Sequence, residues 1–195
     1  MPDTGAPYFI PFADPTDLVR DWPALSEDVA EAVADGLDAA GGLVATGHAL
    51  KTDAFSASVA VGAVTLITGL EVTITPSDAG NNLLVVANVQ TAKSSNSRPL
   101  ITVFRDDSPI LIGDAAGSRL RVSAMGFEVA NLGQTLTVVG VVAAGSTSAT
   151  TFDVRIGHLR TAAADTVRVN QSDSDADNAG FGRAVSSLTV LEVKV

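Results

Sequence analysis

From about Asp53 to the C-terminus the chain repeats one pattern: short runs rich in β-branched and apolar residues, separated by turn-forming Gly, Asn, Asp and Ser. Residues 63–76, AVTLITGLEVTITP, read as two strand-like runs broken at Gly69. Residues 81–91 follow a Gly-Asn-Asn turn signal, and in 100–105 Ile101 and Val103 alternate with Thr102 and Phe104. Shorter strands are expected at 109–112, 120–123 and 127–129. Residues 135–143, TLTVVGVVA, are apolar on both faces, which predicts a central strand. In 150–158 Phe152, Val154 and Ile156 alternate with Asp153 and Arg155. The C-terminal end reads as strand (Val167, Val169), acidic loop (171–183) and a final strand through Leu188, Val190 and Leu191. The loop holds Asp173, Asp175, Asp177, Asn178, Gly180 and Gly182, which is turn chemistry rather than core. Many short strands with no helical pattern between them predict an antiparallel β-sandwich.

The first 42 residues differ. Five of the chain's eight prolines fall in residues 1–23, interleaved with Tyr8, Phe9, Ile10, Phe12 and Trp22. Proline removes backbone donors and blocks helix and central strand, so residues 1–25 are expected as an extended arm. It either packs on its own domain or docks on a partner, since aromatics are favoured interface anchors. Residues 26–42 predict one short α-helix. Ser26 is an N-cap with Glu27, Asp28 and Glu31 in the first turn. Leu25, Val29, Val33 and Leu37 form a stripe at i, i+4 spacing, and Gly41-Gly42 ends the helix. A helix with so small an apolar face needs a packing partner, either its own sheet or copies of itself. Residues 43–52, rich in Gly and Ala, are expected as a linker to a head spanning 53–195.

Composition narrows the function. Of the 195 residues 46% are apolar but only 5% aromatic, so the core is built from Val, Leu, Ile and Ala. The net charge of −10 provides no footprint for nucleic acid and is repelled by anionic lipid. Without cysteine there is neither disulfide nor thiol chemistry. No apolar run approaches the roughly 18–20 residues needed to span a bilayer. The start, MPDTG, does not read as a secretory signal, so synthesis in the cytosol is expected.

Three segments together carry a family resemblance: GLEVTITPSDAGNNLLVVANVQ (69–90), TFDVRIGHLRTAAADTVRVNQS (151–172) and GRAVSSLTVLEV (182–193). Their order resembles the jelly-roll heads of tailed-bacteriophage fibres and appendages, which are similar to complement-like and tumour-necrosis-factor-like heads. In that family the last strand carries a Ser-x-Leu/Ile-Thr-Val-x-Glu pattern, here Ser186 to Glu192. The resemblance implies a virion structural protein made in the host cytoplasm, a homotrimer of mainly β jelly-roll heads, held to other virion proteins by residues 1–40. Apolar runs 83–86 and 138–142 have more hydrophobic positions than one inward face can use. Some are therefore expected to meet a neighbouring subunit, unless both faces are covered within one sandwich.

The candidate chemistry is sparse, and no catalytic constellation or cofactor motif appears. Asp173, Asp175 and Asp177 have the D-x-D-x-D spacing of half a calcium loop, but Ala184 stands where a complete loop needs Glu. A solvated turn is the plainer reading. His48 and His158 have no ligand cluster in sequence, although a trimer axis would bring three copies of one His together. Glu71, Asp106, Asp107, Glu128 and Glu192 are scattered; two of them meeting in space would resemble a glycosidase pair. Arg98, Arg105, Arg119, Arg121, Arg155 and Arg160 are expected to pair with the surplus acids. Loops 91–98, 106–118 and 171–183 are the places for a host-surface glycan or protein. The head's aromatics are few: Phe55, Phe104, Phe127, Phe152 and Phe181.

Overall fold

A computed structural model describes residues 30–31, 42–93, 97–127, 133–159, 163–173, 175, 177, 179 and 182–195. Ala30 and Glu31 are helical and Gly42 is not; residues 1–29 and 32–41 of the expected arm and helix lie outside the described residues. From Leu43 the chain forms β1 (Leu43–Lys51), β2 (Phe55–Val59), β3 (Val64–Ile74), β4 (Asn82–Lys93), β5 (Arg98–Arg105) and β6 (Ser108–Ile110). Then follow β7 (Ala124–Met125), β8 (Gln134–Ala143), β9 (Thr150–Leu159), β10 (Asp165–Val169) and β11 (Ser186–Val193).

These strands form two antiparallel sheets. One has the order β1-β11-β4-β10-β2, with β8 also on β4; the other has β3-β9-β5-β6, with β7 also on β5. The chain crosses between sheets from β3 to β4 to β5 and from β8 to β9 to β10. That alternation makes the expected sandwich of jelly-roll type. Inward side chains of both sheets fill the core, among them Ile67, Leu70, Leu83, Val85, Val103, Phe152, Val154, Ile156, Leu188 and Val190.

Several strands depart from the sequence reading, each for a physical reason. The expected linker, 43–52, is strand β1 and pairs along its length with β11. Its alternate residues are small because the opposite sheet comes close: a Cβ on Gly47 would collide with the side chain of Val72. The two runs around Gly69 are one strand, β3, with a register shift between Leu66 and Glu71. Gly69, at φ +89°, absorbs that shift, so Ile67 and Leu70 both point inward although strict alternation would separate them. β8 is not central: among the described residues it pairs only with β4. Residues 120–123 are not a strand; pairing is instead made by Ala124–Met125. Phe127 lies outside any strand, and Glu128 and Val129 lie outside the described residues.

The C-terminal loop is also not wholly exposed. Gln171 and Ser172 are buried, and Gln171 Nε2 donates to the Phe55 carbonyl. Before them, buried Asn170 (φ +60°) donates from Nδ2 to the carbonyls of Lys51 and Asp53 and accepts from the Ser186 hydroxyl. One polar side chain thus joins the β1–β2 turn to the start of β11, satisfying groups that burial would otherwise penalise.

Candidate oligomer interface

Alternation along β8, β4, β11 and β1 gives their sheet an inward and an outward face. The outward face can be read in register rows. One row runs Val141, Leu84, Leu191, Thr46; the next Val139, Val86, Thr189, His48; the next Thr137, Asn88, Ser187, Leu50. None of these twelve side chains is Asp, Glu, Lys or Arg. Val139, Val141 and Leu50 are 63%, 57% and 55% exposed. Leu84, Val86 and Leu191 beside them are half-buried. Polar atoms in the rows are mostly paired within the sheet: Thr137 donates to Asn88 Oδ1 at 2.8 Å, and His48 Nδ1 lies 2.8 Å from Thr189 Oγ1. The result is an apolar field with polar side chains at one end and no formal charge.

Beneath it, Glu192 of β11 points inward and is fully buried. Its Oε1 accepts from Asn81 Nδ2 (2.7 Å), Ser77 Oγ (2.8 Å) and the backbone N–H groups of Ser77 (2.9 Å) and Asp78 (3.4 Å). Burial works to raise this carboxyl, but the donors from Asn81, Ser77 and the backbone outweigh it and hold its pKa below the ordinary value. The Ser-x-Leu-Thr-Val-x-Glu strand therefore fastens the β3–β4 turn to the sheet that carries the face.

The outside of the other sheet is charged. Glu71, Asp106, Asp107 and Asp153 line a cavity of about 440 Å³ together with Leu66, Thr151 and Arg155. Of the expected glycosidase candidates, the fold does bring Glu71, Asp106 and Asp107 together. Arg155 bonds Asp107 (2.5 Å) and Asp153 (2.8 Å), lies 3.9 Å from the Phe104 ring centroid, and has its pKa raised chiefly by those two carboxylates. The Thr150 hydroxyl and the Thr151 N–H donate to Asp106 and keep its pKa below the ordinary value. A glycosidase acid needs a raised pKa; Asp106 has the opposite, and Asp107 and Asp153 are held by a cation.

The other expected site residues fall as follows. Asp173 pairs with Arg168 and Asp175 with Arg183, each at 2.7 Å, while Asp177 is exposed. Among the described residues no group of three or more His, Cys, Asp or Glu gathers as a metal site. His158 is buried, its Nε2 donating to the Val59 carbonyl at 2.7 Å. Arg155 pairs with acids as expected, but Arg105 instead donates to the Thr150 hydroxyl and to the carbonyls of Ala143 and Ala144. Arg121 donates to the Gly113 carbonyl, and Arg160 lies outside the described residues. Phe104 and Phe152 are buried, Phe55 is half-buried, and Phe127 is 80% exposed. Tyr8, Phe9, Ile10, Phe12, Trp22, Leu25, Val29, Val33 and Leu37 lie outside the described residues. The excess of apolar positions in 83–86 and 138–142 did signal the outward face. The share of β1, with His48 and Leu50, was missed because that stretch reads as linker.

No family model and no curated protein sequence matches the chain. Among solved structures it is similar to the infectious bursal disease virus VP2 subviral particle, at 14% identity and TM-score 0.38 over 80% of this chain. It is also similar to the Gx strain of the same virus, at 15% identity and TM-score 0.38 over 80%. Eiger TNF from S. frugiperda matches at 9% identity and TM-score 0.31, over 71% of this chain and 98% of that one. The chain spans about 40% of the length of the two viral chains.

Proposed function

We propose that this chain is a virion structural subunit of the tail-fibre or appendage kind. Its head assembles as a homotrimer through the uncharged outward face, and residues 1–40 fasten it to other virion proteins. The observation that carries the self-association is that face. In a chain of net charge −10, every charged side chain is kept off twelve register positions that present Val139, Val141 and Leu50 to solvent. Interface cores are depleted of charge in the same way, and a second copy is the partner such a surface meets without like-charge repulsion. Fully burying a Val or Leu side chain contributes about 1.5–3 kcal/mol; Val139, Val141 and Leu50 still have more than half of their surface to bury, and the strands that carry them are already ordered. The virion role draws on the sequence resemblance to phage jelly-roll heads. A capsid decoration protein would use the same face and the same anchor.

A second reading is a host-surface glycan binder, favoured by the single exposed ring of Phe127 among the described aromatics. Binding on a glycan array that is lost in Phe127→Ala would support it. The anchor is tested by deletion of residues 1–40, which stops short of β1 and leaves all described strands in place. The expected product is a folded, self-associated head absent from purified particles; incorporation at normal levels contradicts the anchor.

A further inference from the structure

The uncharged face contains one side chain able to acquire a charge near neutral pH. His48 lies in the row Val139, Val86, Thr189, His48, exposed, with Nδ1 against Thr189 Oγ1 at 2.8 Å. Its neighbours along β1 on the same face are Thr46 and Leu50. Across β11 it meets Thr189 between Ser187 and Leu191, and beyond that Val86 of β4. The nearest charged groups in these strands face away. Lys51 is buried and paired with Asp53, and Glu192 is buried on the inward side. Among the described residues, no carboxylate of these strands is therefore placed to receive an imidazolium.

Resting on the self-association reading above, we infer that His48 makes assembly of the head pH-sensitive: the neutral imidazole is accepted into the interface, and its protonation drives the copies apart. Desolvation sets the direction. A neutral imidazole satisfied by Thr189 is a small polar group, whereas an imidazolium in an apolar interface without a counter-charge opposes burial. Cyclic symmetry repeats the effect once per copy. The sign follows from linkage: protonation is easier in the separated subunits, so falling pH pulls the equilibrium toward them.

The test is sedimentation of the full chain at pH 7.5 and pH 5.5, beside His48→Gln, which keeps a hydrogen-bonding neutral side chain. The unmodified chain should need about tenfold more protein to assemble at pH 5.5, with its circular dichroism unchanged, and His48→Gln should assemble equally at both pH values. An equal response in His48→Gln, or tighter assembly of the unmodified chain at pH 5.5, overturns the inference while leaving the interface intact. An unmodified chain that is monomeric at pH 7.5 overturns the interface itself, and this inference with it.

Discussion

The two outer surfaces of the sandwich both rest on antiparallel strands but carry opposite chemistry. On one, a register row reads Val141, Leu84, Leu191, Thr46; on the other, Glu71, Asp153 and Phe104 stand side by side. The second surface is arranged for water. Its acids are gathered around Arg155, whose guanidinium bonds two carboxylates and covers the Phe104 ring. The first offers water no formal charge, and four of its polar side chains are paired with one another. Excess negative charge keeps a protein from sticking indiscriminately; its absence from the outward face of one sheet is what the proposed self-association uses.

Placing charge on the apolar face is expected to have the largest effect. Val141→Asp should convert the assembled head to folded monomers, raising the dissociation constant at least ~100-fold, because like charges juxtaposed at an interface cost several kcal/mol. Light scattering checks it. Next comes the support beneath the face. Glu192→Ala leaves buried donors on Asn81, Ser77 and Asp78 without an acceptor, at a cost of about 2–3 kcal/mol in thermal or urea unfolding. Because the Glu192 pKa is depressed in the folded state, its contribution is present above the ordinary value of 4.5 and is lost as pH falls through the lower folded value. The stability of the unmodified chain should therefore drop more steeply than that of Glu192→Ala below about pH 4.5. The smallest effect is expected on the charged face. Arg155→Ala removes two partly exposed ion pairs and a ring contact, costing about 1–2 kcal/mol of stability and leaving the assembled mass unchanged.

This contrast was partly legible in the sequence. Period-two alternation in 100–105, 150–158 and 166–170 marked strands, although the first two are buried on both faces and only the last is half-buried, and the surplus valines of 138–142 marked a strand apolar on both faces. What the sequence misassigned was the place of that strand: β8 reads as central because Val139 and Val141 are apolar, whereas among the described residues it pairs only with β4 and those valines are in the open. Composition concealed β1, since its Gly and Ala record the close approach of Val72 rather than a lack of structure. Pairing partners were beyond reach for another reason. Which carboxylates meet depends on the register of β3, β5 and β9, and Gly69, which reads as a break between two strands, instead shifts the register of one.

Sedimentation equilibrium of the unmodified full chain at micromolar concentration and pH 7.5 reads the self-association itself. The expected mass is three times that of the 19.8 kDa chain. A single species at the mass of one chain would contradict it, because the outward valines would then face water with no partner.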